Sequence, residues 1–192
     1  MGLILHIKNM VCDRCKMVVK AELEKTGLHV THVNLGEIEL KESELSPDQL
    51  SNAKDHLENV GFELIDDRKT QIIEQIKIAI IELIHYQNDE IKIKHSEYLA
   101  QRLNYDYSFL SKTFSDEEGT TIEQYIIHQK IEKVKELLAY GQLTLSEIAW
   151  QMGYSSVAAL SSQFKKVVGI TTGAFKKGSD KSRNTLDKVG KE

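Results

Sequence analysis

The stretches YLAQRLNYDYSFLSKTF (98–114) and EIAWQMGYSSVAALSSQF (147–164) are two copies of one pattern, about fifty residues apart. The aligned pairs are Ala100 with Ala149, Asn104 with Gly153 and Tyr105 with Tyr154, then, one residue further on, Leu110 with Leu160 and Phe114 with Phe164. A small residue lets two helices cross closely, Asn or Gly tolerates a left-handed turn, and Leu and Phe four residues apart anchor a second helix. The pattern predicts two helix-turn-helix units. An αα-hairpin in a helical bundle explains one copy but not two matched copies.

Long helices are predicted on the N-terminal side of each copy. The segment TTIEQYIIHQKIEKVKELLAY (120–140) joins the two copies and has a regular apolar face. Upstream of the first copy, QIIEQIKIAIIELIHY (71–86) carries isoleucines at helical spacing. The sequence from residue 70 to residue 178 is therefore expected to be an all-α domain.

The motif LSEIAWQMGYSS, followed by FKKVVGIT, closely resembles the AraC/XylS transcription regulators. The resemblance covers about residues 72–178. It implies a sequence-specific regulator whose two recognition helices enter successive major grooves of double-stranded DNA, roughly 34 Å apart. Two cysteines cannot make a disulfide framework, so the expected compartment is the reducing cytoplasm. It also implies that the chain is not an enzyme, and we find no catalytic triad, phosphate-binding glycine loop or carboxylate pair.

The resemblance assigns DNA-facing positions on both recognition helices, predicted at 106–114 and 156–168. Those on the first are Tyr107, Ser108, Ser111 and Lys112, and those on the second are Ser156, Val157, Ala158 and Ser162. Lys165, Lys166, Lys176 and Lys177 are candidate phosphate contacts, with solvated surface lysines as the alternative. Phe109, Trp150 and Tyr154 are predicted on the buried side. The small residues of the second helix cannot form bidentate hydrogen bonds with bases. We therefore expect that helix to position the protein on the DNA more than to discriminate between base sequences.

The charge distribution agrees with a DNA contact near the C-terminus. The net charge is −4, yet residues 141–192 carry 8 Lys and Arg against 4 Asp and Glu, whereas residues 1–69 carry 9 against 13. No apolar run approaches the roughly 18 residues that a membrane span needs, and the N-terminus lacks the pattern of an export signal. The polar tail, 179–192, is expected to be frayed.

The first 66 residues alternate strand and helix patterns in the order βαββαβ. LILHI (3–7) has apolar residues on one face, and two further strand patterns flank Gly36 like a hairpin. Ser46 and Pro47 are the expected N-cap and first residue of the second helix. This order predicts a ferredoxin-like domain, so the fold class is α+β, with a ferredoxin-like domain followed by the AraC-type domain.

Both cysteines lie in NMVCDRCKM (9–17), on the loop that leads from the first strand into the first helix. The M-x-C-x-x-C motif at this place resembles the heavy-metal-associated domain of copper chaperones and metal-transporting ATPases, although Asn9 stands where that family has glycine. The resemblance covers residues 1–66 and implies that Cys12 and Cys15 bind the metal, Met10 packs inward, and Phe62 lies near the loop. Two thiolates suit a soft ion such as Cu(I).

Other interpretations of the cysteine pair remain open. A structural zinc site needs four ligands, and the chain has no third cysteine; His29 and His32 would point to opposite faces of a strand. A thioredoxin-like dithiol also opens a helix, but that fold is longer and needs a cis-proline opposite the pair. The domain can also serve as a protein-docking or homodimer surface without metal. The helix start and the neighbouring basic residues predict a lowered pKa for the Cys15 thiol.

Overall fold

In a computed structural model, the described part of the chain comprises residues 2–86, 94–178 and 183–190. The chain divides into two compact units, Met1–Ala79 and Ile80–Glu192. The prediction of a sheet-containing N-terminal part followed by a helical part is confirmed. The sequence-based limits, 1–66, 70–178 and 179–192, stay predictions. They include residues 1, 87–93, 179–182 and 191–192, which lie outside the described residues.

The N-terminal unit contains four strands and the first three helices. Their bounds are β1 (Ile4–Lys8), α1 (Asp13–Lys25), β2 (Val30–Asn34), β3 (Glu37–Leu40), α2 (Pro47–Glu58), β4 (Glu63–Leu64) and α3 (Arg68–Ile81), whose last two residues belong to the second unit. The strand order is β2-β3-β1-β4, and every neighbouring pair is antiparallel. Since β1 lies in the middle of this order, the loop that follows it starts from the centre of the sheet.

The alternation of apolar and polar residues in β1 decides which face of the sheet is buried. Leu5 and Ile7 are buried, whereas Ile4 is half exposed. Leu5 and Ile7 belong to one core cluster with Val19 and Leu23 of α1 and with residues of α2. The capping box at Ser46 is present, as expected, with its hydroxyl accepting from the amide of Gln49.

Helix α3 begins earlier than the sequence pattern suggested, at Arg68, because the Asp67 side chain accepts a hydrogen bond from the Thr70 amide at 2.9 Å and so caps the first turn. Within the N-terminal unit, its Gln75 donates to Glu37 on β3 at 2.8 Å. Ile78 approaches the backbone at Gly36 so closely that a Cβ atom there would lie 2.4 Å from its Cδ1. The absence of a side chain at residue 36 therefore permits this contact.

Among its described residues, the second unit contains helices and no strands. After a π-helical turn at Glu82–Tyr86 come α4 (His95–Leu103), α5 (Tyr107–Glu118), α6 (Ile122–Tyr140), α7 (Leu145–Gln151), α8 (Val157–Val168) and α9 (Thr172–Lys177). Each of the last four helices starts with a hydroxyl cap, in which a Ser or Thr side chain accepts from the backbone amide three residues on. These caps are Thr121, Thr144, Ser156 and Thr171. No described helix has the length and apolarity needed to cross a bilayer.

The prediction of a frayed tail is wrong for the described residues 183–190, which pack on α6. Val189 is buried, and the carbonyl of Leu186 accepts a hydrogen bond from Gln129 at 3.1 Å. Arg183 forms an ion pair with Glu136 at 3.0 Å. The tail is polar in composition, but its single buried valine and its pairing with α6 are enough to fix its position.

Candidate DNA interface and thiol loop

The first helix-turn-helix unit consists of α4, a short turn and α5. Asn104 ends α4 in the left-handed conformation, with φ of 55°, as the sequence predicted. Leu110 and Phe114 of α5 are completely buried, also as predicted. Leu99 of α4 is likewise buried, so the two helices are fixed to each other by apolar residues on both sides of the turn.

The second unit, α7, turn and α8, repeats this arrangement. Gly153 has φ of 71° and occupies the position of Asn104. The amide of Tyr154 donates to the carbonyl of Ala149 at 2.9 Å, which closes the turn. Leu160 and Phe164 are completely buried, like their counterparts in the first unit. The internal repeat predicted from the sequence is therefore a repeat of structure.

Helix α6 joins the two units and shares a core with the second. Its Ile131 and Val134 are completely buried in one cluster with residues of α7, α8 and α9. Lys130 donates from its ammonium to the carbonyl of Met152 at 2.9 Å and lies 5.8 Å from the ring centroid of Tyr154. Burial lowers the pKa of Lys130. No sequence pattern predicts this support of the second turn, because a contact between residues 22 positions apart follows no helical or strand period.

The predicted contact residues of the first recognition helix differ in accessibility. Ser108 and Lys112 are exposed, and Ser111 is half-buried. Tyr107 is half-buried, and its hydroxyl donates a hydrogen bond to the carboxylate of Glu123 on α6. Burial and this bond raise the pKa of Tyr107 and keep the phenol protonated. Ser108 and Lys112 can therefore reach a ligand directly, whereas Tyr107 is engaged within the protein.

The second recognition helix offers small side chains. Ala158 and Ser162 are exposed, whereas Val157 is half-buried against the core of this unit. The Ser156 hydroxyl accepts from the amide of Ala159 at 3.1 Å, so this residue is the N-cap of α8. The four lysines proposed for phosphate contact, Lys165, Lys166, Lys176 and Lys177, are all exposed.

Two aromatic residues predicted on the buried side are exposed instead. Trp150 is 72% exposed on α7, and Phe109 is 45% exposed on α5, where its ring packs 5.3 Å from that of Tyr105. The prediction was wrong because Ile148 and Ala149 already supply the buried side of the short helix α7. Tyr154 is half-buried and packs on the core of its unit.

The two cysteines lie side by side at the start of α1. Cys12 is the N-cap residue, Cys15 is in the first turn, and the Cys15 amide donates to the Cys12 carbonyl at 3.0 Å. Both are free thiols and half-buried, with their sulfur atoms 3.2 Å apart. Met10 is completely buried, as predicted, and belongs to one core cluster with Phe62. Cys15 packs partly against this same cluster.

The predicted lowering of the Cys15 pKa is wrong. Burial and the hydrogen bond with Cys12 raise the pKa of this thiol. The helix start and the nearby cations favour a lowered pKa, but the Cys15 side chain packs partly against the apolar core, and its burial is the largest effect on the pKa. A metal ion must therefore displace the proton from Cys15.

The donor set near the loop fits a soft ion of low coordination number. Among the described residues, no group of three or more His, Cys, Asp and Glu side chains lies close enough together to hold a metal. His29 is paired with Glu42 at 2.8 Å, and His32 is exposed. Two thiols without further ligands match the two-thiolate coordination of Cu(I) and do not complete a structural zinc site.

The C-terminal part of the chain is similar to known proteins. Residues 99–178 match the family described as a helix-turn-helix domain. The Msm operon regulatory protein of Streptococcus mutans is 31% identical over 100 residues, covering 48% of this chain and 36% of that protein. The xylose operon regulatory protein of Escherichia coli K12 is 31% identical over 109 residues, covering 56% of this chain and 28% of that protein.

Among solved structures, the C-terminal domain of AraT, a response regulator from Geobacillus stearothermophilus, has a TM-score of 0.48 and 23% identity, covering 62% of this chain and 92% of that one. The chain spans about a third of the length of the two curated relatives. Its C-terminal part carries a helix-turn-helix domain, and these relatives support the resemblance to AraC-type regulators.

Proposed function

We propose that the chain is a sequence-specific, DNA-binding transcription regulator of the AraC/XylS type whose N-terminal unit binds a soft metal ion such as Cu(I). The observation that carries the first part is the pair of matched helix-turn-helix units on α6, with Asn104 and Gly153 at the equivalent turns. As a regulator it would act on DNA in the cytoplasm, and no enzymatic activity is proposed.

In this proposal α5 and α8 enter successive major grooves of double-stranded DNA. The exposed side chains of Ser108 and Lys112 are the direct base or phosphate contacts of α5. On α8, Ala158 contacts thymine methyl groups, Ser162 is a polar contact, and Lys165 and Lys166 contact phosphates. The first unit is therefore expected to contribute more of the sequence discrimination.

The DNA proposal is tested by selecting bound sequences from a random double-stranded pool with the full chain. We expect one enriched motif, with dissociation constants at least 10³-fold lower than for unrelated DNA. Lys112→Ala should weaken binding by about tenfold, whereas Lys54→Ala, on the exposed side of α2 in the other unit, should leave it unchanged. Equal affinity for all sequences would contradict the proposal.

The metal proposal rests on the thiol pair and on the topology of its unit. The antiparallel order β2-β3-β1-β4 with two helices supports a ferredoxin-like domain of heavy-metal-associated type. Cys12 and Cys15 would bind the ion, which supplies a reversible charge and ordering change at the loop. The buried side chain of Met10 excludes water from the inner side of the loop. DNA affinity changes only if the ion binds two arrangements of the protein with different affinities.

An anaerobic Cu(I) titration of the reduced chain against a competing chelator tests this part. We expect one tight equivalent, lost in the Cys12→Ser/Cys15→Ser double variant. Replacing the thiols by hydroxyls keeps their size and removes the soft ligands. No binding beyond that of the double variant would reject the metal proposal and leave the DNA proposal standing.

The alternative is an AraC-type regulator whose N-terminal unit docks a protein partner or a second copy without metal. Met17 and Val18 on α1 favour it, because they are 72% and 40% exposed next to the thiol loop. Met17→Ser/Val18→Ser would then abolish regulation or dimer formation, and Cys12→Ser would not. A metal carrier or thiol redox protein is a further alternative, which leaves the helix-turn-helix part without a role.

A further inference from the structure

A cleft of about 370 Å³ lies between the two helix-turn-helix units, inside the second compact unit. The first helix-turn-helix lines it with the starts of α4 and α5, and the second lines it with Tyr154 of the turn and Gln163 of α8. Helix α6 forms the side between them. Ligand sites in proteins are concave, about 300–1,000 Å³ in volume, and combine apolar surface with a few polar groups. This cleft therefore has the size of a small-molecule site that contacts both helix-turn-helix units.

The side formed by α6 has an acidic end, an apolar middle and a basic end. Glu123, Ile127 and Lys130 follow one another at intervals of four and three residues, so they lie along one face of the helix. Ile126, which also lines the cleft, adds to the apolar middle. Seven residues of helix separate Glu123 from Lys130, which corresponds to about 10 Å along the axis. A molecule lying along this face therefore meets apolar surface next to a cation.

The two ends differ in whether their charge already has a partner. The Glu123 carboxylate accepts the hydrogen bond from the Tyr107 hydroxyl, and this bond lowers the pKa of Glu123. The half-buried Lys130 ammonium donates to the neutral carbonyl of Met152 and lies 5.8 Å from the ring centroid of Tyr154. No carboxylate of the described residues pairs with it. Since a half-buried cation is stabilised most by an opposite charge, the basic end is suited to an anionic group.

A second basic side chain lines the same end of the cleft. His95, in the first turn of α4, is half-buried, and burial together with the positive charge of Lys130 lowers its pKa. Lys94, the exposed residue before it, also lines the cleft. Basic groups that converge in a concave site at a cost in electrostatic energy are typical of binding sites. An anion between Lys130 and His95 would relieve their repulsion.

We propose that this cleft binds a small molecule that consists of an apolar body and one carboxylate. The carboxylate pairs with the Lys130 ammonium and accepts a hydrogen bond from the His95 ring. The apolar body lies on Ile126 and Ile127 of α6. The binding itself requires neither DNA nor metal.

The effect of this ligand on DNA rests on the DNA function proposed above. Tyr107 is the first residue of the recognition helix α5, and Gln163 follows the predicted DNA contact Ser162 on α8. A carboxylate bound beside these helices neutralises basic groups and repels DNA phosphates. The ligand therefore weakens DNA binding, and by linkage DNA weakens binding of the ligand by the same factor.

The binding test uses 3-phenylpropionate and its neutral amide, 3-phenylpropionamide, as matched probes for the full chain. Isoleucine methyl groups are followed by NMR during each titration. We expect 3-phenylpropionate to bind with a dissociation constant on the order of 1 mM, as a ligand of this size allows, and the amide at least about fivefold more weakly. The methyl signals of Ile126 and Ile127 should shift with the carboxylate probe, which places it in the cleft. Equal affinity for the two probes, or shifts elsewhere only, would overturn the proposal.

Three variants test the role of the charge. Lys130→Met removes the ammonium and keeps the apolar stem, so the affinity for 3-phenylpropionate should fall to that for the amide. Lys133→Met is the matched control, because Lys133 is also half-buried on α6 but pairs with Glu136 at 3.3 Å, outside the cleft; its affinity should equal that of the wild type. An equal loss in both variants would contradict the proposed site.

His95→Glu places a negative charge in the cleft and keeps the helix start favourable, because a carboxylate is stabilised in the first turn. It should weaken binding of 3-phenylpropionate at least about fivefold and leave binding of the amide unchanged. This variant decides the question if Lys130→Met does not fold. Unchanged binding of the carboxylate probe in His95→Glu would reject the proposed position of the carboxylate.

DNA titrations separate this inference from the proposed function. Saturating 3-phenylpropionate should lower the affinity of the wild type for its selected motif at least about threefold relative to the same concentration of sodium chloride, and should not do so in Lys130→Met. Binding of the probe without this effect overturns the regulatory part. If the probe does not bind and Lys130→Met weakens DNA binding about as much as Lys112→Ala, the cation contacts a DNA phosphate and the ligand proposal is wrong. If no motif is selected, the DNA function fails, and the NMR titrations alone decide whether the cleft binds the ligand.

Discussion

Asn104 and Gly153 adopt the same left-handed backbone conformation, with φ of 55° and 71°, in the turns of the two helix-turn-helix units. The two residue types are those that reach this conformation at low cost. At this position the two units therefore share the backbone conformation of the turn and not the side chain.

We expect Gly153→Ala to lower the free energy of unfolding by about 1 kcal/mol, because a Cβ atom strains the left-handed backbone. The nearest atom to such a Cβ would be Nζ of Lys130, at 3.7 Å, so crowding adds little. Gly173→Ala is the control: Gly173 lies within helix α9 with open space around it, and the substitution should stabilise by about 0.5–1 kcal/mol. Urea unfolding measures the change in the free energy of unfolding for both variants. Equal changes would contradict the left-handed backbone conformation of Gly153.

Substitutions of Ser156 can distinguish its role as a helix cap from a role in DNA binding. Ser156→Ala loses the bond to the Ala159 amide and should cost about 1 kcal/mol of stability. Ser156→Asp keeps an acceptor at the cap and should restore stability, while its negative charge repels the DNA backbone and weakens DNA binding by about tenfold or more. Thermal unfolding and DNA titration are measured for both variants. Unchanged DNA affinity in Ser156→Asp would remove this residue from the interface.

His85 should make the second unit sensitive to mild acid. Burial lowers the pKa of His85 to about 4, from about 6.5 in the unfolded chain. Between these two values the unfolded chain binds the proton and the folded chain does not, so stability falls as the pH falls below 6.5. The loss attributable to His85 is about 2 kcal/mol at pH 5.

The measurement is urea unfolding at pH 7, 6 and 5 for the wild type and His85→Gln. Glutamine can still donate to Gln129 but does not titrate, so the difference between the two proteins isolates His85 from His95, whose pKa is also lowered by burial. Identical pH profiles would show that His85 is not buried in the neutral form.

The tail contact should contribute to the stability of the second unit. Val189 is 3% exposed, and Val189→Ala is expected to cost about 1–2 kcal/mol through lost burial and the cavity left behind. Lys188→Ala, at the exposed neighbouring position, should be nearly neutral. The melting temperatures of the two variants give the comparison. An unchanged value for Val189→Ala would mean that residues 183–190 do not pack on α6 in solution.

The repeat, the left-handed turn residues and the order of strands and helices could be predicted from the sequence. These features follow from local periodicity and from the backbone preferences of Gly and Asn, which can be seen in a single chain. The inward packing of Met10 was implied only by the resemblance to the heavy-metal-associated domain, and the side chain is completely buried in the structure.

Which side chains are buried, and which groups from distant parts of the chain come into contact, depends on how the helices and strands pack together. Trp150 is exposed because Ile148 and Ala149 fill the buried side of α7, and the Cys15 pKa is raised because the thiol packs on a core built from distant residues. The hydrogen bond from the Asn9 amide to the Glu74 carboxylate joins residues 65 positions apart. Burial, pKa and such contacts depend on packing between elements, and no local pattern specifies them.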